Sequence, residues 1–246
     1  MDMESLPEEV VKMIEDPSSW QDTEKIPIIT SNDFNSLLKS RMNNKELSLE
    51  ACNQFRKMLV TGGLILDFGK LVVIKPQWLA DSFKAIISTK NIEDKGIITS
   101  DQIQKRLFNS LKLNISGNDL KNLLEIWENE LSVCILHPKL KNTFIVPSLL
   151  DEEDSTKIND LWKTELHEQK CIGRIYEIPF LPPGIFEGIY VQMCRISSAI
   201  HFWRNGLLLN LNGGHILMQI FSKESKITIQ TTRLFYFTYS YLINLF

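Results

Sequence analysis

The residues best placed to do chemistry lie between Gly62 and Lys90. Asp67-Phe68-Gly69 spells the tripeptide with which protein kinases bind magnesium, and Val72-Val73-Ile74-Lys75 resembles the strand carrying their phosphate-pairing lysine. Order excludes both. In a kinase the lysine strand comes long before Asp-Phe-Gly, with a His-Arg-Asp loop between them, whereas here the lysine comes just after and no His-Arg-Asp occurs. Gly63 to Lys70 mimics a phosphate-binding glycine loop, but its spacing is wrong and Leu71 stands where Ser or Thr is required.

The remaining reactive side chains are scattered. Cys52, Cys134, Cys171 and Cys194 form no CxxC pair, and with no secretory signal ahead of them they read as reduced, mostly buried thiols of a cytoplasmic chain. His137, His167, His201 and His215 stand alone, so a metal site would need ligands from distant places. The expectation is therefore no catalytic, cofactor-binding or metal-binding residues. With 27 basic and 30 acidic residues, a formal charge of −3 gives no field that draws in nucleic acid or an anionic membrane.

The element that organises the chain is the same stretch, Gly62 to Lys90, read as structure. Two β-prone runs, Leu64–Phe68 and Leu71–Lys75, flank Gly69-Lys70, a two-residue hairpin signal. Pro76 suits the first turn of a helix whose apolar face is Leu79, Phe83, Ile86 and Ile87. Trp78, at the junction, is the expected packing anchor.

Before it, Leu6 to Asp16 reads as a short helix with Val10, Met13 and Ile14 on one face, followed by an irregular Trp20–Pro27. Ser31 and Ser48 are the expected caps of two further helices, with Phe34, Leu37 and Leu38 inward in one and Cys52, Phe55 and Leu59 in the other. After it come a charged loop, a strand over Gly96–Ser100, and a helix capped by Thr99 to Gln102 with Ile103, Leu107 and Leu111 inward. Ser116 to Asp119 caps the best-patterned helix, with Leu120, Leu123, Leu124, Trp127 and Leu131 on one stripe, and strands over Leu131–Leu136 and Thr143–Val146 follow.

This predicts an α+β chain with a mostly helical, winged-helix-like first domain over residues 1–150. The acidic Asp151-Glu152-Glu153-Asp154 opens a linker over 151–169, which Leu161 and Trp162 pin down. Residues 170–246 form a strand-rich antiparallel α+β domain: a strand over Cys171–Phe180, a helix over Ile185–Met193, then strands Phe202–Asn210, His215–Phe221 and Lys226–Thr232. The uncharged aromatic tail Leu234–Phe246 is too short to cross a membrane.

Three blocks carry a resemblance to a known family. They are Gly63 to Leu66 with Val73 to Asp81; the Leu124–Leu131 helix with Phe144 to Leu150; and Gly173-Arg174-Ile175-Tyr176-Glu177 with Phe180-Leu181-Pro182-Pro183-Gly184 and Trp203-Arg204-Asn205-Gly206. The chain resembles the COR (C-terminal of Roc) region of Roco proteins, the group that includes the leucine-rich-repeat kinases. The resemblance implies a non-catalytic signalling module whose first half packs against a Ras-like Roc GTPase domain, in cis or in trans, and whose second half supplies a homodimer contact. Gly188 and Gln192 stand where the family usually has arginines, so a charge-dependent contact of that helix is not expected.

The sequence shows no Roc or kinase domain and stops before the family's second half normally ends, so the resemblance allows a fragment of a longer Roco GTPase and serine/threonine kinase, or a degenerate or misassigned gene product. The alternative is a winged-helix nucleic-acid-binding domain, with Lys105, Arg106 and Lys112 on its recognition helix; so few cations on an acidic chain count against it.

Overall fold

A computed structural model of the chain describes residues 11–12, 15–17, 20, 26–42, 47–88, 95–112, 114–153, 155–166, 171–178, 184–196, 198–221 and 224–232. The expected face of the first helix (Val10, Met13, Ile14), the loop 90–94, the break 179–183 and the tail 234–246 lie outside them. The described residues make a mixed α+β structure, helical in the first half and strand-rich towards the C-terminus. They group into two compact units, residues 1–89 with 103–126, and residues 90–102 with 127–246.

The first unit is built on the hairpin. Strands β2 (Leu66–Asp67) and β3 (Leu71–Val73) pair antiparallel around Gly69-Lys70, where Gly69 takes the left-handed φ of 74°. β1 (Ile28–Thr30) adds to the far side of β3, giving the order β1-β3-β2. Helix α1 (Ser31–Arg41) is capped by Thr30, whose hydroxyl accepts from the Asp33 amide at 3.2 Å, so the cap lies one residue before the expected Ser31. Ser48 caps α2 (Leu49–Thr61) as expected, and Gly62 and Gly63 end it. Phe34, Leu38, Cys52 and Leu59 close on Ile65, Val72 and Ile74, together with Trp20, which is 1% exposed.

Helix α3 (Pro76–Ile87) begins at the expected proline, but it buries Trp78, Leu79, Ser82, Ala85 and Ile86 and leaves Ile87 39% exposed. With Trp78 buried, the inward stripe runs through the small residues Ser82 and Ala85. Helix α4 (Ser100–Leu111) opens with a reciprocal cap: the Gln102 amide donates to Thr99 Oγ1, and Gln102 Oε1 accepts from the Thr99 amide. Helix α5 (Gly117–Glu125), capped by Ser116, buries Leu120, Leu123 and Leu124. It then widens into a π turn over Ile126–Glu130, and Leu131 is 39% exposed instead of completing the stripe. A π turn holds one more residue than an α turn, so it rotates everything after it off the face set before it.

In the second unit β4 (Ile97–Thr99) and β5 (Ile135–Leu136) flank β6 (Thr143–Ile145), in the order β4-β6-β5. The segment expected as a linker contains helix α6 (Ser155–Leu166), anchored by Ile158 and Trp162, with Leu161 only half-buried. Five strands follow: β7 (Ile172–Glu177), β8 (Ser198–Trp203), β9 (Gly206–Leu211), β10 (Gly214–Phe221) and β11 (Lys226–Thr231). They form one antiparallel sheet in the order β7-β11-β10-β9-β8. Helix α7 (Ile185–Ile196) lies between β7 and β8 in sequence.

The single strand expected over Phe202–Asn210 is a hairpin turning at Arg204-Asn205. Asn212-Gly213 makes the next two-residue turn, both residues at positive φ as a type I′ turn requires. Alternate residues part to the two faces of the sheet. Leu207, Leu209, Ile216, Met218, Ile227 and Ile229 meet Ile189, Tyr190 and Met193 of α7, while Leu208, Leu217 and Trp203 meet Ile158 and Trp162 of α6.

Gly206 is where this packing tolerates no side chain. A Cβ there would lie 2.5 Å from the Met218 carbonyl oxygen and 2.5 Å from Trp203 Cζ2. Gly206→Ala is expected to cost about 1–3 kcal/mol, the usual range for overpacking, read as a lowered urea midpoint at unchanged slope.

Candidate interaction surface

The motif residues of the central hairpin are engaged in structure. Arg56, on α2, is buried, and its Nη2 lies within bonding reach of the Asp67 carboxylate, of Ser31 Oγ at 3.0 Å and of the Gly69 carbonyl at 2.9 Å. Asp67 also accepts from the Gly69 amide at 2.9 Å. The Asp-Phe-Gly carboxylate is thus occupied by a guanidinium and its own turn. Lys75 occupies the N-cap position of α3. Lys70 is followed by strand β3, whereas a phosphate-binding glycine loop must open onto a helix N-terminus.

The thiols are no better suited to attack. Burial pushes the Cys134 thiol far above its ordinary range, and that of Cys194 up to about 12, so neither supplies thiolate at neutral pH. Cys52 is buried and Cys171 exposed. His201 meets Glu153 at 3.3 Å, His215 meets Asn210 at 3.3 Å, and His137 folds into the β5–β6 turn, while His167 lies outside the described residues. The Lys157 ammonium, 2.9 Å away, is the main cause that holds the Glu153 carboxyl below its usual range. Among the described residues no group of three His, Cys, Asp or Glu could hold a metal ion, and no helix is long and apolar enough to cross a membrane.

The candidate recognition residues divide. Lys105 and Lys112 are exposed, but Arg106 is 7% exposed and donates to the Ile86 carbonyl. The helix that directly precedes the β5–β6 hairpin is α5 with its π turn, where Lys121 is outnumbered by Asp119, Glu125, Glu128 and Glu130. A phosphate backbone would be repelled there.

Among the described strands β7 lies at the edge of its sheet, paired with β11, and it exposes Ile172 (39%) and Ile175 (61%) on its two faces. On α7 the two positions flagged for lost arginines differ in use. Gly188 is half-buried with room around it, and Gln192 donates to Ser132 Oγ at 3.4 Å. Arg195, a turn further on, bonds the Glu128 carbonyl in the middle of the π turn. Sequence reasoning missed Arg56 and Arg195, whose cationic type says nothing of burial. A signal for Arg56 was present in its i−4, i+3 relation to Cys52 and Leu59 on the inward face of α2.

Residues 169–237, which span β7, α7 and the strands β8 to β11, match the family model of the C-terminal of Roc, COR-B domain. The chain is similar to "Probable serine/threonine-protein kinase roco7" of Dictyostelium discoideum, 27% identical over 144 residues, covering 58% of this chain and 5% of that protein. It is also similar to "Probable serine/threonine-protein kinase roco11" of the same organism, 28% identical over 204 residues, covering 74% of this chain and 13% of that one. Among solved structures, RocCORdC of Methanosarcina barkeri Roco2 bound to GDP aligns at 14% identity and a TM-score of 0.42, over 59% of this chain and 44% of the other. The chain spans no more than 13% of the length of these curated relatives.

Proposed function

We propose that this chain, which carries a COR domain of the Roco family, is a non-catalytic module coupling a Ras-like Roc GTPase domain to self-association. In this reading residues 1–150 are the half that docks on the GTPase, 151–169 the connection, and 170–246 the half that pairs with a second copy, in the cytoplasm. One observation carries it: the COR-B match covers the five-stranded sheet and α7 as one block.

The rest of the chain is consistent with the role. The element order α3, β4, α4, α5, β5, β6 and the sheet order β4-β6-β5 support the winged-helix reading of the first half. Its helix before the wing is acidic, which suits a protein contact better than nucleic acid. In this reading the kinase in the relatives' names is not carried by this chain, whose Asp-Phe-Gly carboxylate is engaged by Arg56.

The test pairs the purified full chain with a Roc domain loaded with GDP or a GTP analogue, read by calorimetry, with light scattering of the chain alone. Saturable Roc binding whose affinity depends on the nucleotide, and no binding of labelled GTP or ATP to the chain itself, are expected. Nucleotide binding by the chain alone, or indifference to Roc in both states, would overturn the reading.

A further inference from the structure

We propose that the turn joining β5 to β6 is a proton-sensitive latch, held closed by neutral His137 and opened when its ring is protonated. Nδ1 of His137 accepts from two consecutive amides of the turn, those of Lys139 and Leu140, each at 3.1 Å. The His137 amide donates to the Thr143 carbonyl at 2.7 Å, which fixes the residue at the base of the hairpin, and its ring meets Phe202 edge-on at 5.9 Å. An imidazole nitrogen that accepts a hydrogen bond carries no proton, so the closed turn requires the Nε2–H tautomer. A proton on Nδ1 sets one N–H against two others, and both bonds are lost together.

The surroundings favour the neutral ring. Burial lowers the His137 pKa from 6.5, and the Lys139 ammonium lowers it further. From β8 the ring faces uncharged Phe202, whose neighbour His201 is directed at Glu153. β6 brings Thr143, Phe144 and Ile145, none of them charged, and Lys141 precedes it. The carboxylate that reaches this hairpin, Glu128, is engaged by the Leu136 amide at 3.1 Å, and Arg195 bonds the Glu128 carbonyl.

The closed turn therefore binds fewer protons than the open one, and closure weakens as pH falls. The loss begins near 6.5 and ends at the lower closed-state pKa, with the closed-to-open ratio falling about tenfold per pH unit inside that window. The segment released carries Leu140, 50% exposed, beside Lys139 and Lys141.

The experiment uses the full chain and two readouts. Long-range proton–nitrogen correlation spectra should show His137 as the Nε2–H tautomer at pH 7.5, titrating below 6.5. Hydrogen-exchange protection of the Lys139 and Leu140 amides should fall between pH 7.5 and 5, after correction for the intrinsic rate. In His137→Asn, whose amide oxygen accepts but does not titrate, protection at those amides should be independent of pH. An Nδ1–H tautomer, pH-independent protection in the parent chain, or the same pH-dependent loss in His137→Asn would each overturn the latch.

Discussion

Trp162→Ala is expected to lower the stability of the second unit by about 3–5 kcal/mol, the range for removing a fully buried large aromatic. Trp162 is 5% exposed and, with Ile158, forms the α6 side of a small core completed by Trp203, Leu208 and Leu217. No other helix among the described residues contributes to that cluster, so the cavity cannot be filled by a neighbouring side chain sliding across. Loss of Trp162 also unseats α6, exposing the sheet face it covers. Urea titration followed by circular dichroism measures the change. Lys163→Ala, at a side chain 77% exposed, is the control and should stay within about 0.5 kcal/mol of the parent. A Trp162→Ala loss under about 1 kcal/mol would mean that α6 is a passenger on the sheet.

Arg56→Met should cost about 3 kcal/mol, near the lower end of the range for breaking a buried ion pair by removing one partner. Methionine keeps the stem volume and helix preference of arginine, so the loss reports the guanidinium alone. Its removal strands Asp67, whose side chain is 28% exposed, and deprives the Gly69 carbonyl of a charged donor. The partial exposure of Asp67 lets water recover some of the loss, which sets the estimate at the low end. Asp67→Asn made on top of Arg56→Met should recover part of it, because the stranded group is then neutral. A double variant no more stable than Arg56→Met would mean that Asp67 is already solvated in the parent.

Much of this architecture was legible in the sequence where local chemistry decides it. Gly69-Lys70, Pro76, Ser48, Ser116 and the Thr99–Gln102 cap each fix a boundary through their own backbone preference, and each boundary stands where expected. What escaped depended on tertiary partners. Leu131 fits the α-helical stripe until the π turn, which no side chain in the run announces, shifts it outward. The polar texture of 155–166 hid the helix and its inward Ile158; Trp162 was expected to pin the segment, but its partner on the buried face is Ile158, not Leu161. β1 is three residues long and is defined by its pairing with β3. As for function, the sequence blocks pointed to the family, whereas the residues that occupy the motif-like carboxylate could be read only from their placement in space.

The place of β7 bears on the order of assembly during synthesis. β8 to β11 are joined by short turns and can zip as local hairpins, but β7 leaves the ribosome before all of them and pairs only with β11, the last strand to emerge. Until Lys226–Thr231 is made, the strand carrying Ile172 and Ile175 has no ladder partner in its own sheet. Contacts distant in sequence form late, and an unpaired apolar strand is open to the wrong neighbour. Interruption of translation between β10 and β11 would therefore release a chain whose unpaired strands invite aggregation, and a nascent-chain binding factor would find its most persistent target in residues 172–177.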